Sequence, residues 1–133
     1  KHSEKLEMFE KQGAATVKLE DVDKLGQKFD LVVEASGSPS GWNTAIECVK
    51  PRGTIALKST YHGEFSFNPA PLVINEISVV GSRCGRFAPA LRLLKSGLVD
   101  PRMLITATYP LDEAVEAFEK ARHGKNVKVI IKM

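Results

Sequence analysis

The sequence predicts an α/β fold in which helices flank a parallel sheet. Three apolar runs, at residues 29–35, 54–57 and 77–80, have the length and composition of strands. The first strand contains a continuous apolar run, residues 31–33, which indicates burial on both faces. Segments with helical spacing separate the runs, and this alternation is typical of a parallel sheet. The chain has 133 residues, 43% of them apolar, so we expect a compact fold with a hydrophobic core.

The N-terminal segment predicts a helix ahead of the first strand. Ser3 is a suitable N-cap, Glu4 lies in the first turn, and Gly13 ends the helix. Residues 14–17 are a candidate for a short strand. Residues 20–28 are polar, which indicates a loop or a single helical turn.

A second helix is predicted to begin at Ser40 or Gly41 and to end at the turn formed by residues 51–53. Its apolar residues recur at i, i+3, i+4 and i+7, so one side of the helix should face the core. These residues are Trp42, Ala45, Ile46 and Val49. Further along, Phe65 and Phe67 alternate as in an exposed or edge strand, and a short helix or turn follows them.

The C-terminal part predicts two helices and two strands. Pro89 suits the first position of a helix that ends before Gly97. Strands are predicted at 104–109 and 127–131, with a helix at 111–122 between them. Acidic residues in the first turn of this helix and basic residues in its last turn complement the helix dipole. Its predicted buried stripe is Leu111, Ala114, Val115 and Phe118.

Charge and hydropathy argue against two classes of protein. The net charge is +3 and the lysines and arginines are scattered, so no basic patch points to nucleic acid. The apolar runs are only a few residues long, which is too short to span a membrane, and no segment resembles a signal peptide.

Cys48 and Cys84 are the two cysteines of the chain. Without a C-x-x-C motif or a nearby histidine cluster, they predict neither a disulfide framework nor a zinc site. We expect two free thiols, buried or half-buried, in a reducing, cytoplasmic setting. The histidines at positions 2, 62 and 123 are expected to be solvated.

Small, hydroxyl-bearing residues follow each of the three predicted strands, at 35–38, 57–60 and 80–84. In open parallel sheets, ligands bind beyond the carboxyl ends of the strands. Small side chains there allow main-chain groups to approach a flat ligand. The alternative is three ordinary strand-to-loop turns, and the residues alone leave both interpretations open.

Four segments in sequence order carry a family resemblance. They are DLVVEASGS, KPRGTIALKST, FNPAPLVINEISVVGSRCGRF and LITATYPLDEAVEAFEKARHGKNVKVIIKM. Together they resemble the medium-chain, zinc-containing alcohol dehydrogenase superfamily over essentially the whole chain. The resemblance implies a partial Rossmann-type sheet that lacks its first strand and Gly-rich turn. Residues 1–101 would belong to the dinucleotide-binding domain, and residues 102–133 to a closing segment that packs with the catalytic domain.

The resemblance also implies which residues meet the coenzyme. The first strand end lies beside the adenine ribose, and main-chain groups at the two later strand ends hold the nicotinamide carboxamide. Lys128 is expected to reach the pyrophosphate. The alternative is that Lys128 is a solvated residue of a half-exposed strand. The implied residues are Ala35, Ser36, Gly37, Lys58, Ser59, Thr60, Ser82, Arg83, Cys84 and Lys128. Arg83 could instead contact a substrate or phosphate in the intact enzyme, or form a surface or interface ion pair. No catalytic or metal-binding residue is expected in the chain.

By the same resemblance, the intact enzyme transfers a hydride between an alcohol or polyol and NAD or NADP, and its zinc is held upstream of this chain. Because the chain opens with KHSE and no methionine, we expect a fragment that is inactive alone. The alternatives are a zinc-free quinone or enoyl reductase of the superfamily, or a non-catalytic nucleotide-binding or dimerisation module. Residues 68–80 resemble the region through which family members pair subunits, so a homodimer or tetramer is expected.

Overall fold

The computed structural model describes residues 3–61 and 63–133. The chain forms two compact units, each of which contains a sheet. The central unit is Lys18–Gly85, and the terminal unit comprises the residues up to Val17 together with Arg86–Met133. The predictions for His2 and His62 lie outside the described residues. Across the described part of the chain, no helix has the length and apolar character that crossing a membrane requires.

Three parallel strands form the sheet of the central unit and confirm the predicted α/β fold. The strands are β1 (Phe29–Glu34), β2 (Val49–Leu57) and β3 (Ser78–Gly81). β2 lies between the other two. The register places Glu34 opposite Leu57 and Leu57 opposite Gly81. The three carboxyl ends therefore lie side by side at one edge of the sheet.

The turn at residues 51–53, predicted as the end of a helix, lies inside β2. Phe29 pairs with Val49, whereas Leu31 pairs with Thr54, so the pairing of β1 and β2 is irregular at this point. Arg52 has a φ of 62°, and its N–H donates to the carbonyl of Asn75 at 2.7 Å. The extra residues form a bulge in the strand, which therefore begins earlier than predicted.

Helix α2 (Pro39–Cys48) packs its predicted apolar side against β1 and β2. Pro39 occupies the first turn, where its missing N–H would have no partner in the helix. A short helix, α3 (Ala70–Ile74), precedes β3. The buried core consists of Trp42, Ala45, Val49, Ile55 and Ile77, with Ile46 half-buried against it. The predicted apolar side of α2 is thus confirmed for Trp42, Ala45 and Ile46, whereas Val49 is buried as the first residue of β2 and not as part of the helix.

The prediction that β1 is buried on both faces is wrong. Val32 packs against the core, but Leu31 is 59% exposed and Val33 is exposed as well. Helix α2 packs on the face that carries Val32, and the opposite face remains in contact with solvent. Glu34 points to the same side of the sheet as Val32 because side chains alternate along a strand, and it is buried there.

Two other predicted strands are absent from the structure. Residues 14–17 form no helix or strand, and Phe65 and Phe67 lie outside any strand. Instead, the ring of Phe67 packs edge-on against Trp42, with centroids 5.2 Å apart. Aromatic packing on α2 therefore explains the alternation that suggested a strand. Leu19–Leu25 forms a 3-10 helix, in agreement with the predicted helical turn.

The terminal unit contains a two-stranded parallel sheet with a crossover helix. Its elements are α1 (Ser3–Glu10), α4 (Phe87–Lys95), β4 (Ile105–Pro110), α5 (Ala114–Arg122) and β5 (Lys128–Lys132). β4 and β5 pair in parallel, and α5 connects them and packs on both. Pro89 lies in the first turn of α4 but not at its first position, which Phe87 occupies.

The predicted buried stripe of α5 is wrong. Val115 is 78% and Phe118 is 67% exposed, and Leu111 is exposed too. The residue that α5 buries is Ala117, with Ala114 half-buried on the same side. The helix thus approaches β4 and β5 through alanines, and its large apolar residues face away from them.

Candidate functional site

The three strand ends of the central unit meet in a surface that we call the rim, formed by residues 35–37, 58–60 and 82–84. Main-chain hydrogen bonds continue the sheet into it. The N–H of Lys58 donates to the carbonyl of Glu34 at 2.9 Å, and the N–H of Ser82 donates to the carbonyl of Leu57 at 2.9 Å. All rim residues are exposed except Ser59, which is half-buried. The rim is therefore open to a ligand.

Hydrogen bonds also connect the neighbouring strand ends of the rim to one another. The N–H of Gly37 donates to Ser59 Oγ at 2.8 Å. Gly37 has a φ of 71°, a left-handed conformation that glycine adopts without strain. Lys58 Nζ donates to the carbonyl of Arg83 and lies 3.4 Å from Ser82 Oγ. Nine of the ten predicted coenzyme residues thus fall on one continuous surface, whereas their role in binding stays a prediction.

The tenth residue, Lys128, is the first residue of β5 and belongs to the terminal unit. Its side chain is exposed, and its carbonyl accepts a hydrogen bond from Thr106 Oγ1 at 3.1 Å. Lys132 is also exposed, while residues 129–131 are half-buried. This pattern is that of a partly covered strand with lysines at its two ends.

A buried carboxylate, which was not predicted from the sequence, lies beneath the rim. Glu34, the last residue of β1, is only 3% exposed. Its Oε1 accepts hydrogen bonds from the N–H of Ser36 at 2.7 Å and from Ser36 Oγ at 2.6 Å. Its Oε2 accepts one from the hydroxyl of Tyr61 at 2.7 Å. The only signal for this burial in the sequence was the position of Glu34 at the end of an apolar run.

The donors around Glu34 keep its carboxylate ionised. Burial alone would raise the pKa of Glu34, but hydrogen bonds from Ser36, Ser59 and Tyr61 outweigh it and lower the pKa from 4.5 to about 2. Burial and the hydrogen bond to the carboxylate raise the pKa of Tyr61, which therefore stays protonated and acts as a donor. Glu34 is consequently a fixed negative charge held by uncharged groups.

A series of serine hydroxyls runs from Glu34 to the start of α2. Ser36 Oγ lies 3.3 Å from Ser38 Oγ, which lies 2.8 Å from Ser40 Oγ. Gly41 packs closely against this series, because a Cβ placed on it would lie 1.9 Å from Ser36 Oγ and 2.8 Å from Glu34 Oε1. The close approach explains why a glycine occupies this position in the helix.

Aromatic rings support the segment that carries Tyr61. The rings of Tyr61 and Phe65 meet edge to face with centroids 4.9 Å apart, and Phe65 lies 5.9 Å from Phe67. Phe67 in turn contacts Trp42 of α2. These contacts connect the donor to Glu34 with the core of the central unit.

The two cysteines differ from each other. Cys48 is buried as predicted, and burial raises the pKa of its thiol. Cys84 is exposed on the rim, so the prediction that it is buried or half-buried is wrong. It follows the exposed end of β3, where no element in the central unit covers it. In the described residues no three His, Cys, Asp or Glu side chains form a group that could hold a metal ion.

Comparison with known proteins identifies the family. The family model for zinc-binding dehydrogenases matches residues 1–96. D-xylulose reductase A of Aspergillus oryzae is 31% identical over 110 residues, which cover 80% of this chain and 31% of that protein. Sorbitol dehydrogenase of Mus musculus is 30% identical over 110 residues, which cover 81% of this chain and 31% of that protein.

A solved structure shows the same fold. An alcohol dehydrogenase from Escherichia coli CFT073, in complex with NADH, superimposes with a TM-score of 0.82 at 22% identity. The match covers 98% of this chain and 42% of that one. The chain thus spans about a third of the length of the curated relatives it matches. The chain belongs to the zinc-binding dehydrogenases of the medium-chain alcohol dehydrogenase superfamily.

Proposed function

We propose that the chain supplies coenzyme-binding structure to an oxidoreductase that transfers a hydride between an alcohol or polyol and NAD or NADP. The observation that carries the proposal is the open rim, in which Gly37 contacts Ser59 and Lys58 contacts Arg83. Relatives named as a xylulose reductase and a sorbitol dehydrogenase support a polyol substrate. A neighbour in complex with NADH supports the coenzyme.

The chemistry of the rim suits a nicotinamide coenzyme, which supplies the hydride or accepts it. In the proposal, Ala35, Ser36 and Gly37 lie beside the adenine ribose. Residues 58–60 and 82–84 hold the carboxamide through main-chain groups. Uncharged amide groups bind a carboxamide equally well in both redox states, so the ring can become cationic and neutral again without an unpaired charge in the protein. Lys128 would contribute a point charge for the pyrophosphate.

Zinc does not fit the described residues of this chain, which contain no group of three metal-ligating side chains. The proposal therefore assigns the zinc of the intact enzyme to residues outside this chain. We also propose that residues 1–101 belong to the dinucleotide-binding domain, that residues 102–133 pack with the catalytic domain, and that the enzyme acts in the cytoplasm.

The exposed thiol of Cys84 offers a direct test of coenzyme binding to the rim. In the full-length protein, N-ethylmaleimide labelling of Cys84 is followed by mass spectrometry of its peptide, with and without NADH. At NADH ten times above its Kd, occupancy of the rim should slow the labelling about 10-fold. Buried Cys48 is the internal control and should stay unlabelled in the folded protein. Equal labelling of Cys84 at saturating NADH would contradict the proposed site.

Activity is tested separately. Reduction of NAD or NADP by sorbitol or xylitol, followed at 340 nm, is expected for the full-length enzyme and should be lost after treatment with a zinc chelator. Activity that survives the chelator would favour the zinc-free reductase of the same superfamily. Protection of Cys84 without any turnover would favour a nucleotide-binding module.

We propose in addition that residues 68–80 mediate a homodimer or tetramer. β3 forms an edge of the three-stranded sheet, and its Val79 and Val80 are exposed. An exposed apolar edge favours pairing with another strand. Val80→Lys should shift sedimentation of the full-length protein toward the monomer, and a wild-type protein that sediments as a monomer at high concentration would refute this contact.

A further inference from the structure

Three consecutive main-chain N–H groups after β1, at residues 36–38, all donate to oxygen atoms of the protein. The N–H of Ser36 donates to Glu34 Oε1 at 2.7 Å, and the N–H of Gly37 donates to Ser59 Oγ at 2.8 Å. The N–H of Ser38 donates to Ser36 Oγ at 3.1 Å. Successive free N–H groups in a turn often bind anions. This turn has none left to offer, because protein oxygens already accept all three.

Glu34 determines the direction of these hydrogen bonds. An ionised carboxylate can only accept, so the hydroxyl protons of Ser36 and Tyr61 must point toward it. With its proton directed inward, Ser36 Oγ is left as an acceptor for the N–H of Ser38. The carboxylate therefore orients the hydroxyl, and the hydroxyl orients the backbone of the turn.

The surroundings of Glu34 show that neutral donors alone hold its charge. Within the described residues, no Lys, Arg or His side chain lies within ion-pair distance of it, and Tyr61 is the titratable group in contact with it. A buried charge is costly unless donors satisfy its oxygens. Glutamine has the same shape but no charge, and its N–H₂ group would face either the donors of Ser36 or the Tyr61 hydroxyl, which would then have to accept. The amide therefore cannot give Ser36 and Tyr61 the charge-assisted hydrogen bonds that the carboxylate gives them.

We propose that Glu34 is a positioning residue of the rim. Glu34 holds the turn after β1 against the segment after β2, and it makes the N–H groups of that turn unavailable to anions. The turn then presents hydroxyl and carbonyl oxygens, which accept hydrogen bonds. This step rests on the proposed function. It assigns the turn as the binding place for a hydroxyl or amino group of the coenzyme, while the phosphates of the coenzyme bind elsewhere.

Hydrogen exchange tests the positioning role in the full-length protein. Glu34→Gln is compared with Glu47→Gln, which makes the same chemical change on the exposed side of α2. Loss of a hydrogen bond to a buried charged group should speed exchange of the amides at 36–38 at least about 10-fold in Glu34→Gln and leave it unchanged in Glu47→Gln. Exchange at Ile55 of β2, which is fully buried, serves as the measure of opening of the whole central unit. Equal acceleration at Ile55 would indicate a general loss of stability of this unit and would overturn the local role.

A second arm uses inorganic phosphate as the probe for anions. In the wild-type protein, phosphate should not slow exchange at residues 36–38, because their N–H groups are occupied. Slower exchange at this turn in phosphate would show that its N–H groups bind anions and would overturn this part of the proposal. If Glu34→Gln does not fold, Tyr61→Phe removes a single donor from Oε2 and should still accelerate exchange at the turn about 3-fold or more. Unchanged exchange in Tyr61→Phe would equally overturn the proposal.

The two proposals fail separately. NADH affinity is measured for the same proteins, and Glu34→Gln should weaken it about 10-fold while Glu47→Gln should not change it. A wild-type protein that does not bind NADH, together with faster exchange at the turn in Glu34→Gln, would refute the proposed function and retain the role of Glu34. A wild-type protein that binds NADH, together with unaltered exchange at the turn in Glu34→Gln, would retain the proposed function and refute the role of Glu34.

Discussion

The central and terminal units contain similar strands and helices but differ in what they bury. In the central unit, Ile55 and Val49 are fully buried and α2 contributes Trp42 to the same core. In the terminal unit, α5 buries Ala117 and leaves Val115 and Phe118 exposed. In both units, parallel strand pairing satisfies the main-chain hydrogen bonds of the strands. Among the described side chains, however, only those of the central unit form a large apolar core. An amphipathic sequence therefore does not reveal by itself which of its faces is covered.

The largest effect that follows from this difference concerns Ile55 and Val115. Ile55→Ala removes a buried side chain from the centre of β2 and should lower the free energy of unfolding by about 3–4 kcal/mol. Val115→Ala, on the exposed face of α5, should change it by less than about 0.5 kcal/mol. Urea denaturation of both variants provides the measurement. A loss for Val115→Ala as large as that for Ile55→Ala would show that another surface covers α5 in the full-length protein.

Acid should affect the central unit through Glu34. Its pKa in the folded protein, about 2, lies below the ordinary value of 4.5. The stabilisation is therefore fully present above about pH 4.5 and is lost as the pH falls toward 2. Since hydrogen bonds to a charged group are lost, we expect the free energy of unfolding to fall by about 2–3 kcal/mol over this range.

The measurement is the pH dependence of unfolding in the wild type and in Glu34→Gln. The wild type should lose stability between about pH 4.5 and 2, and this part of the dependence should be missing from the variant, which has no titrating group at this position. Parallel curves for the two proteins would contradict the assignment of this pH dependence to Glu34.

Much of the central unit could be predicted from the sequence because its signals are local. The spacing of Trp42, Ala45 and Ile46 indicated the inner face of α2, and continuous apolar runs located β1 and β3. The meeting of Gly37 with Ser59 followed from the rule that parallel strands end at one edge. These predictions needed only periodicity and the topology of a parallel sheet.

The rest depends on contacts between residues that are distant in the sequence. The burial of Glu34 requires Tyr61, 27 positions further along the chain, and no local pattern announces that pair. The exposed face of β1 and the outward side of α5 depend on which elements cover them. Apolar residues report that a face is suited to burial, but they do not report whether a partner is present.

Gly41 gives a test of the tight packing beneath the rim. Gly41→Ala places a methyl group against Ser36 Oγ and Glu34 Oε1 and should cost about 2 kcal/mol, although alanine favours helices. Gly85→Ala is the matched control, because a Cβ at that position meets no atom within 4 Å. Thermal unfolding of the two variants compares them. A Gly41→Ala protein as stable as Gly85→Ala would show that Ser36 can move aside without loss.

In the terminal unit, hydrogen bonds at a helix end take the place of a large core, and their effect should be smaller. Asn126 Nδ2 donates to the carbonyl of Lys120 at 2.7 Å, and this carbonyl also accepts from the N–H of His123 at 3.2 Å, so the side chain adds a second hydrogen bond to the last turn of α5. Asn126→Ala should therefore lower the free energy of unfolding by about 1 kcal/mol. Lys125→Ala, one residue earlier in the same exposed turn, is the control. If urea denaturation shows equal stability for the two variants, water replaces the amide at this carbonyl, and the terminal unit owes little to this cap.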